Sequence, residues 1–201
     1  MQKTATTDHA IHPLLAERWS PCAFDPRLVE PEKLGSLFEA ARWAASCFNS
    51  QPWSFLMATA DGDREGFERL AACLIPANAA WAAKAPVLAL SVAQLNFERN
   101  GEPNRHAQHD VGLAVGNLVI QAQSVGLAAH QMAGFDAGRA RSELEIPDGY
   151  EPMAMIAIGY PVSADDVPTE LAEREAAPRE RKALESMVFG ARWGAANPGV
   201  A

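Results

Sequence analysis

The longest periodic pattern in the sequence is an apolar stripe that begins at Asp110 and ends before Gly126. Apolar residues recur in it at three- and four-residue spacing, which predicts a long central helix, and a glycine at its end is a typical helix terminator. Gly112 and Gly116 lie one turn apart on this helix, and each costs about 1 kcal/mol relative to alanine. Close approach of another backbone would offset that cost, so we expect a helix–helix or dimer contact there.

Shorter patterns on both sides of the central helix alternate between helix and strand. The predicted helices are 31–45, 64–73 and 136–144, with a helix-like stretch at 184–189, and the predicted strands are 53–58, 86–92, 130–134 and 153–160. We read 53–58 as a buried strand because it is short and rich in aromatic residues. The pattern indicates an α+β or α/β fold in a single domain, 1–201, with a loose lead at 1–11 and an extended arm at 162–201.

The charge and the cysteines exclude several classes of partner and compartment. A formal charge of -8 argues against nucleic acid or an anionic membrane surface as the main partner. No apolar run approaches the roughly 20 residues of a membrane span, and the N-terminus has no signal-like apolar region. Three scattered cysteines form no zinc spacing and no disulfide framework, so we expect a cytoplasmic protein. His106 and His109 are interpreted as capping or solvated groups, and no metal site is expected.

The sequence carries none of the common hydrolase, phosphate-loop or dinucleotide-binding motifs. Polar and cationic residues are instead expected in loops and at the ends of elements, where a scaffold usually presents its binding groups. They are Arg18, Ser20, Asn49, Gln51, Asn78, Arg179 and Arg181. Arginine pairs with phosphate and amides pair with ring edges, so this set suits an anionic, heteroaromatic cofactor.

Three segments, in order and at the right spacing, resemble the nitroreductase family. Residues 40–55 resemble its helix ending in A-P-S-x-x-N-x-Q-P-W-x-F, with Ala45 where the family usually has proline. Residues 18–24 resemble R-R-S-x-R-x-F, and residues 78–86 resemble N-x-x-W-x-x-x-A-P. Weaker matches at 110–112, 126–127, 158–161 and 179–184 extend the resemblance over 12–193.

The resemblance implies a fold, an activity and an assembly. The fold would be α+β, a three-layer α/β/α sandwich with a mostly antiparallel central sheet and termini that wrap the other subunit. The activity would be that of an FMN-dependent oxidoreductase, with NAD(P)H as cosubstrate and a nitroaromatic, quinone or related small-molecule electron acceptor, by a ping-pong mechanism. The assembly would be a homodimer with flavin at the subunit interface.

The resemblance also implies roles for individual residues. Arg18, Ser20, Arg179 and Arg181 would hold the phosphate and ribityl tail, and Asn78 the pyrimidine edge. Ser46, Cys47 and Asn49 would come from the other subunit. The full implied cofactor-binding set is Arg18, Trp19, Ser20, Cys22, Ala45, Ser46, Cys47, Asn49, Gln51, Asn78, Gln131, Met132, Ala133, Gly134, Arg179 and Arg181. Phe48 and His130 are candidate substrate contacts, and no catalytic side chain is assigned because the flavin carries the chemistry.

Cys22 departs from the family pattern, which has a basic residue at this position near the N1/O2 edge of the flavin. A thiol with an ordinary pKa of about 8.5 is mostly neutral near pH 7 and does not stabilise an anionic reduced flavin. Two hypotheses follow. Either Lys84, Arg42 or His130 supplies the charge, or the flavin potential is lower than is usual in the family.

Other interpretations of the same residues stay open. Taken singly, the arginines are ordinary solvated charges, and Asn49 and Gln51 are residues that tie a loop to its own backbone. A flavin-dependent dehydrogenase or dehalogenase of the same fold is an alternative enzyme. A flavin-binding or flavin-destroying accessory protein, or a relative that has lost the cofactor, is the third interpretation.

Overall fold

The structure, a computed structural model, describes residues 3–199, which form seven α-helices and four β-strands. The helices are α1 (Pro13–Glu17), α2 (Pro31–Arg42), α3 (Arg64–Ala72), α4 (Pro76–Ala82), α5 (Ala107–Ser124), α6 (Ala137–Glu143) and α7 (Ala172–Ala176). The strands are β1 (Trp53–Thr59), β2 (Val87–Gln94), β3 (Ala128–Met132) and β4 (Tyr150–Gly159). No helix in this part of the chain is long and apolar enough to cross a membrane.

The four strands form one sheet in the order β1-β2-β4-β3, and every neighbouring pair is antiparallel. The two central strands are almost completely buried, as their continuous apolar sequences require. The prediction of a buried strand at 53–58 was correct in position but wrong in burial. β1 lies at the edge of the sheet, where only Ala58 is buried and Met57 is 39% exposed.

Side chains on the two faces of the sheet form two separate cores. On one face α3, α4 and α6 pack on Leu88 and Leu90 of β2, while on the other α2 and α5 pack on Val87 and Ala89. Alternate residues of β2 therefore point to opposite helix layers, as the two-residue period of a strand dictates. The result is a three-layer α/β/α sandwich around an antiparallel sheet, which confirms the predicted α+β fold.

Local sequence signals explain where the predicted helices begin and end. Gly126 has a φ of +78° and lies just after α5, which confirms the predicted terminator. The carboxylate of Asp136 accepts a hydrogen bond of 2.9 Å from the Arg139 N–H, so the predicted cap of α6 is also confirmed.

Several predicted boundaries were wrong. The helix expected over 31–45 ends at Arg42, and the stretch at 184–189 contains only a 3-10 turn at Leu184–Ser186. The strand expected over 130–134 is Ala128–Met132. Helices α1 and α4 were not predicted, because at 5 and 7 residues they are too short to show a periodic apolar pattern.

Candidate active site

Four cationic side chains converge on one cavity of about 420 Å³. They belong to Arg18, Arg179, Arg181 and Lys182, and Asp8 is the carboxylate in the lining. Arg18 Nη1 lies 3.2 Å from Ser20 Oγ, so the hydroxyl is at the same place. Burial, and then the charges of Arg179 and Arg181, lower the pKa of Arg18. Like charges held this close favour an anion between them, and arginine binds phosphate oxygens in a bidentate manner.

Long-range contacts fix the two segments that carry these cations. Arg18 follows directly after α1, and the Arg179 guanidinium donates hydrogen bonds to the backbone carbonyls of Lys3 and Ala16. Glu175 on α7 is 2% exposed and accepts a hydrogen bond from the Cys22 backbone N–H. The arm that follows the sheet is therefore tied to the segment around Ser20.

Asn78 lies in the first turn of α4, which agrees with its expected place at the end of an element. Its Nδ2 donates a hydrogen bond of 3.0 Å to the Gly134 carbonyl, which leaves the side-chain oxygen facing away from that bond. A Cβ added at Gly134 would lie 2.4 Å from Asn78 Nδ2, so a larger residue there would displace the Asn78 amide from this bond. Met132 is buried in the core, so any ligand contact from that position would come from its backbone. Gln131 and Ala133 are exposed.

The side chains of Cys22 and His130 are in contact, with Cys22 Sγ 3.7 Å from His130 Nδ1. His130 Nδ1 is also 2.8 Å from the Pro21 carbonyl, so the ring donates its proton there. Burial raises the pKa of Cys22 to about 11 and lowers the pKa of His130. Both side chains are therefore neutral near pH 7. The ring centres of Trp81 and His130 lie 4.6 Å apart, with the rings tilted by 37°. The buried Trp81 Nε1 has no hydrogen-bond acceptor within residues 3–199.

The cations considered as replacements at this position are engaged elsewhere. Lys84 Nζ pairs with Glu170 at 3.4 Å, and Arg42 pairs with Glu39 at 2.5 Å, both at the surface. Both salt bridges are exposed, so neither fixes its cation in place, and Lys84 lines a cavity of about 310 Å³ together with Cys22. The charges of Arg174 and Lys3 also act on the Cys22 thiol, so a substitute cation and a lower flavin potential both stay predictions.

The loop from Ser46 to Gln51 is held in an unusual backbone conformation. Phe48, Asn49 and Gln51 have positive φ angles of 53°, 53° and 47°. The Cys47 N–H donates to the buried Asp110 carboxylate at 2.9 Å, and the Gln51 N–H donates to Ser46 Oγ at 3.0 Å. Sequence reasoning took Asp110 as the start of a helix and weighed it beside His106 and His109 as a metal ligand, which it discounted. The sequence signal for the bond of Asp110 to the Cys47 N–H was a carboxylate directly beside the apolar stripe.

This loop and the cationic cavity lie apart in the protomer. Phe48, Asn49, Ser50 and Gln51 line a second cavity of about 230 Å³, together with residues 97–99. None of the loop residues lines the cavity that holds Arg18. One copy of the chain, over residues 3–199, thus brings together the predicted phosphate ligands but not the predicted loop.

The sequence profile of the nitroreductase family matches residues 15–160. The chain belongs to the nitroreductase family. The match confirms the family predicted from the motifs, and with it the predicted class of enzyme, an oxidoreductase.

Several relatives agree with this placement in the nitroreductase family. An uncharacterized 15.4 kDa protein of Mycolicibacterium smegmatis is 38% identical over 135 residues, which cover 67% of this chain and 89% of that protein. The major NAD(P)H-flavin oxidoreductase of Aliivibrio fischeri is 26% identical, covering 88% of this chain and 98% of the relative. A crystal structure of an oxidoreductase containing FMN superposes with a TM-score of 0.86 at 34% identity, covering 94% of this chain and 95% of that one.

Three features of this nitroreductase-family site were missed by sequence reasoning. Glu175 stood in a charged, proline-containing segment with no pattern that predicts burial. Lys182 adjoins the predicted Arg181 and lines the same cavity, so its sequence position was the available signal. The approach of Arg99 to Phe48 depends on tertiary folding and left no local signal.

Proposed function

We propose that this chain is an FMN-dependent oxidoreductase that accepts electrons from NAD(P)H and passes them to a nitroaromatic, quinone or related conjugated acceptor. The observation that carries the proposal is the convergence of Arg18, Arg179 and Arg181 on one cavity. Its cations suit a phosphate monoester, and an oxidoreductase of similar structure contains FMN. The relative from Aliivibrio fischeri, named for NAD(P)H-flavin oxidoreduction, supports the electron donor.

Each part of the site has a separate task in this proposal. Arg18, Ser20, Arg179 and Arg181 hold the phosphate and ribityl tail. The Asn78 side-chain oxygen is available as an acceptor for a ring N–H, since its nitrogen is bonded to Gly134. When bound, FMN supplies the redox chemistry, so the protein positions the ring and the two substrates and tunes its environment. Because donor and acceptor use the same flavin in turn, ping-pong kinetics follow.

The proposed enzyme is a homodimer whose site is completed across the interface. Ser46, Cys47 and Asn49 would reach the flavin of the other subunit, which accounts for their separation from Arg18 within one protomer. Large apolar side chains are exposed in the protomer, with Trp43 and Phe48 each at 74%. In this proposal the other subunit covers both side chains.

An open helix face supports the same assembly. A Cβ added at Gly112 or Gly116 would meet nothing within 4 Å, and Leu113 beside them is 41% exposed. Glycine lowers the stability of a helix even where it contacts nothing in the protomer. A second helix packed against these glycines would offset that loss. We also propose a cytoplasmic location, because the three cysteines of the sequence lack the spacing of a disulfide framework.

The proposal is tested by separating the two half-reactions. The protein is loaded with FMN, reduced without oxygen by NADH or NADPH, freed of nucleotide by gel filtration and mixed with a quinone or a nitroaromatic. The expected result is stoichiometric reoxidation by the acceptor alone. Reduction that fails with both nicotinamides would instead favour a dehydrogenase or dehalogenase. A protein that does not retain FMN would favour an accessory role.

A further inference from the structure

Phe48 is an exposed aromatic side chain held in a conformation that phenylalanine rarely adopts. It is 74% exposed with a φ of +53°, and its loop is anchored by the bond from Cys47 to the buried Asp110. Strain of this kind persists only when surrounding contacts enforce it, and it clusters at ligand sites. The conformation therefore indicates a function for the ring outside the core.

A second loop, residues 95–104, lies against the loop of Phe48 and forms a cavity with it. Asn104 is 4% exposed, and its Nδ2 donates a hydrogen bond of 3.3 Å to Ser50 Oγ. The Phe97 ring lies 6.0 Å from the Phe48 ring at 72°. The two aromatic side chains thus line a cavity of about 230 Å³ whose walls are tied together.

Arg99 adds a positive charge to this cavity. Its guanidinium carbon lies 4.4 Å from the Phe48 ring centre and 5.1 Å from that of Phe97. Among residues 3–199 no carboxylate lies within 4.0 Å of its guanidinium, although Glu98 also lines the cavity. Stacking leaves the N–H groups at the guanidinium edge free to bind a planar anion in a bidentate manner.

We infer that Phe48, Phe97 and Arg99 form the acceptor subsite and select aromatic acceptors that carry an anionic substituent. The rings stack on the acceptor's planar face, while the guanidinium pairs with its carboxylate or similar group. The inference rests on the proposed function, because it is the proposed contact of Cys47 and Asn49 with flavin that places Phe48 beside the cofactor. The net charge of -8 makes such a local cation the determinant of anion preference.

Binding without turnover tests the inference first. Benzoate and its neutral counterpart benzamide are titrated calorimetrically into the oxidised, FMN-loaded protein. The wild type is expected to prefer benzoate about two- to fivefold, the preference expected of one partly exposed charge pair. Arg99→Gln removes the preference and Arg99→Lys keeps part of it. Arg64→Gln, which removes an exposed arginine of α3, keeps all of it.

Turnover gives the second readout. The nitro groups of 4-nitrobenzoate and 4-nitrobenzamide undergo the same reduction. Each takes up two electrons from NAD(P)H and two protons, which yields a nitroso group and water. Arg99→Gln is expected to raise KM about fivefold for 4-nitrobenzoate only, with kcat within about twofold, because the lost contact serves binding alone. Phe48→Leu weakens binding of both compounds equally, because both lose the stacking surface.

The outcomes separate this inference from the proposed function. A wild type without benzoate preference, or an Arg99→Gln variant that keeps the preference, would overturn the subsite while FMN binding and reduction stand. Equal losses for both nitro compounds in Arg99→Gln would overturn it as well. Failure of the wild type to bind FMN would remove the proposed function and the subsite together.

Discussion

The backbone N–H of Cys22 donates a hydrogen bond to the carboxylate of Glu175, 153 residues later in the chain. Cys22 lies two residues after Ser20, and Glu175 lies four residues before Arg179. The bond therefore sets the separation between the two segments that carry the proposed phosphate ligands. Because Glu175 is 2% exposed, water does not replace the bond if it is broken.

Glu175→Ala is expected to lower the free energy of unfolding by about 1–3 kcal/mol, since a buried N–H loses its hydrogen-bond acceptor. It should also weaken FMN binding, because the arm that carries Arg179 loses its anchor. Urea unfolding and FMN titration measure the two effects. Glu173→Ala, at an exposed position of the same helix, is the control. Identical urea midpoints for the two variants would contradict the anchoring role.

Arg181→Gln is expected to separate phosphate recognition from ring recognition. The Arg181 side chain donates a hydrogen bond to the adjacent Glu180 carbonyl, so the substitution breaks no long-range contact of this kind and leaves the fold intact. Loss of one charge-assisted bond, about 1.5–3 kcal/mol, weakens FMN binding about ten- to hundredfold and riboflavin binding by less than about twofold. Fluorescence quenching measures both affinities, with Arg105→Gln as the control. Equal losses for FMN and riboflavin would place Arg181 away from the phosphate.

The flavin potential reports the missing cation at Cys22. Lys84 and Arg42 each have a carboxylate partner and His130 is neutral, so we expect less positive charge beside reduced FMN than a basic residue at position 22 would supply. We expect the midpoint potential of bound FMN to lie below that of free FMN, and Cys22→Arg to raise it. Reduction against a reference dye measures the potential, and Cys22→Ser is the control of similar size. An unchanged potential in Cys22→Arg would end this explanation.

Stability at high pH should depend on the same cysteine. Burial raises the pKa of Cys22 from 9.0 to about 11, so between these values the unfolded chain loses the thiol proton while the folded protein keeps it. Stability is therefore lost as pH rises through this window. Urea midpoints measured from pH 8 to 11 should fall less steeply in Cys22→Ala than in the wild type. Parallel curves for the wild type and Cys22→Ala would rule out the linkage.

Burial lowers the pKa of His130 below its ordinary value of 6.5. At low pH, stability should therefore change with pH in the direction opposite to that expected for Cys22. As pH falls through 6.5 the unfolded chain takes up this proton before the folded protein does, so stability decreases. His130→Asn should remove this part of the acid sensitivity in the same urea series. A variant that keeps the full acid slope would show that other groups carry it.

Gly116→Leu tests the proposed interface on α5. A side chain there meets nothing within the protomer, so a monomer would gain up to about 1 kcal/mol of helix stability. In a dimer that packs through this face, the added side chain separates the helices and the protein dissociates. Sedimentation at micromolar concentration measures the state, and Gly35→Leu, at an equally open glycine of α2, is the control. A Gly116→Leu variant with unchanged mass would place the interface elsewhere.

The sequence allowed the sheet, the central helix and the family to be predicted, because each leaves a pattern over neighbouring residues. The stripe after Asp110 and the apolar run at 153–160 correspond to α5 and β4. Helix α4 was missed because its 7 residues span barely two turns. β1 was taken as buried because its composition does not show whether it has one neighbouring strand or two.

In the site too, residues that belong to a local motif could be predicted, whereas contacts between distant segments could not. Arg18, Arg179 and Arg181 could be selected by motif, and the structure places them around one cavity. The contact of Glu175 with Cys22 and the stacking of Arg99 on Phe48 join residues that are far apart in sequence. Such pairs depend on how the loops and the arm fold back on the sheet, and neither residue type nor spacing signals them.

The measurement that tests the central claim most directly is the visible spectrum of the FMN-loaded protein during an anaerobic titration with NADH and with NADPH. The account predicts one flavin per protomer, retained through gel filtration, whose absorption bleaches with one equivalent of at least one of the two nucleotides. A colourless protein that does not retain added FMN, or a bound flavin that neither nucleotide reduces, would contradict it.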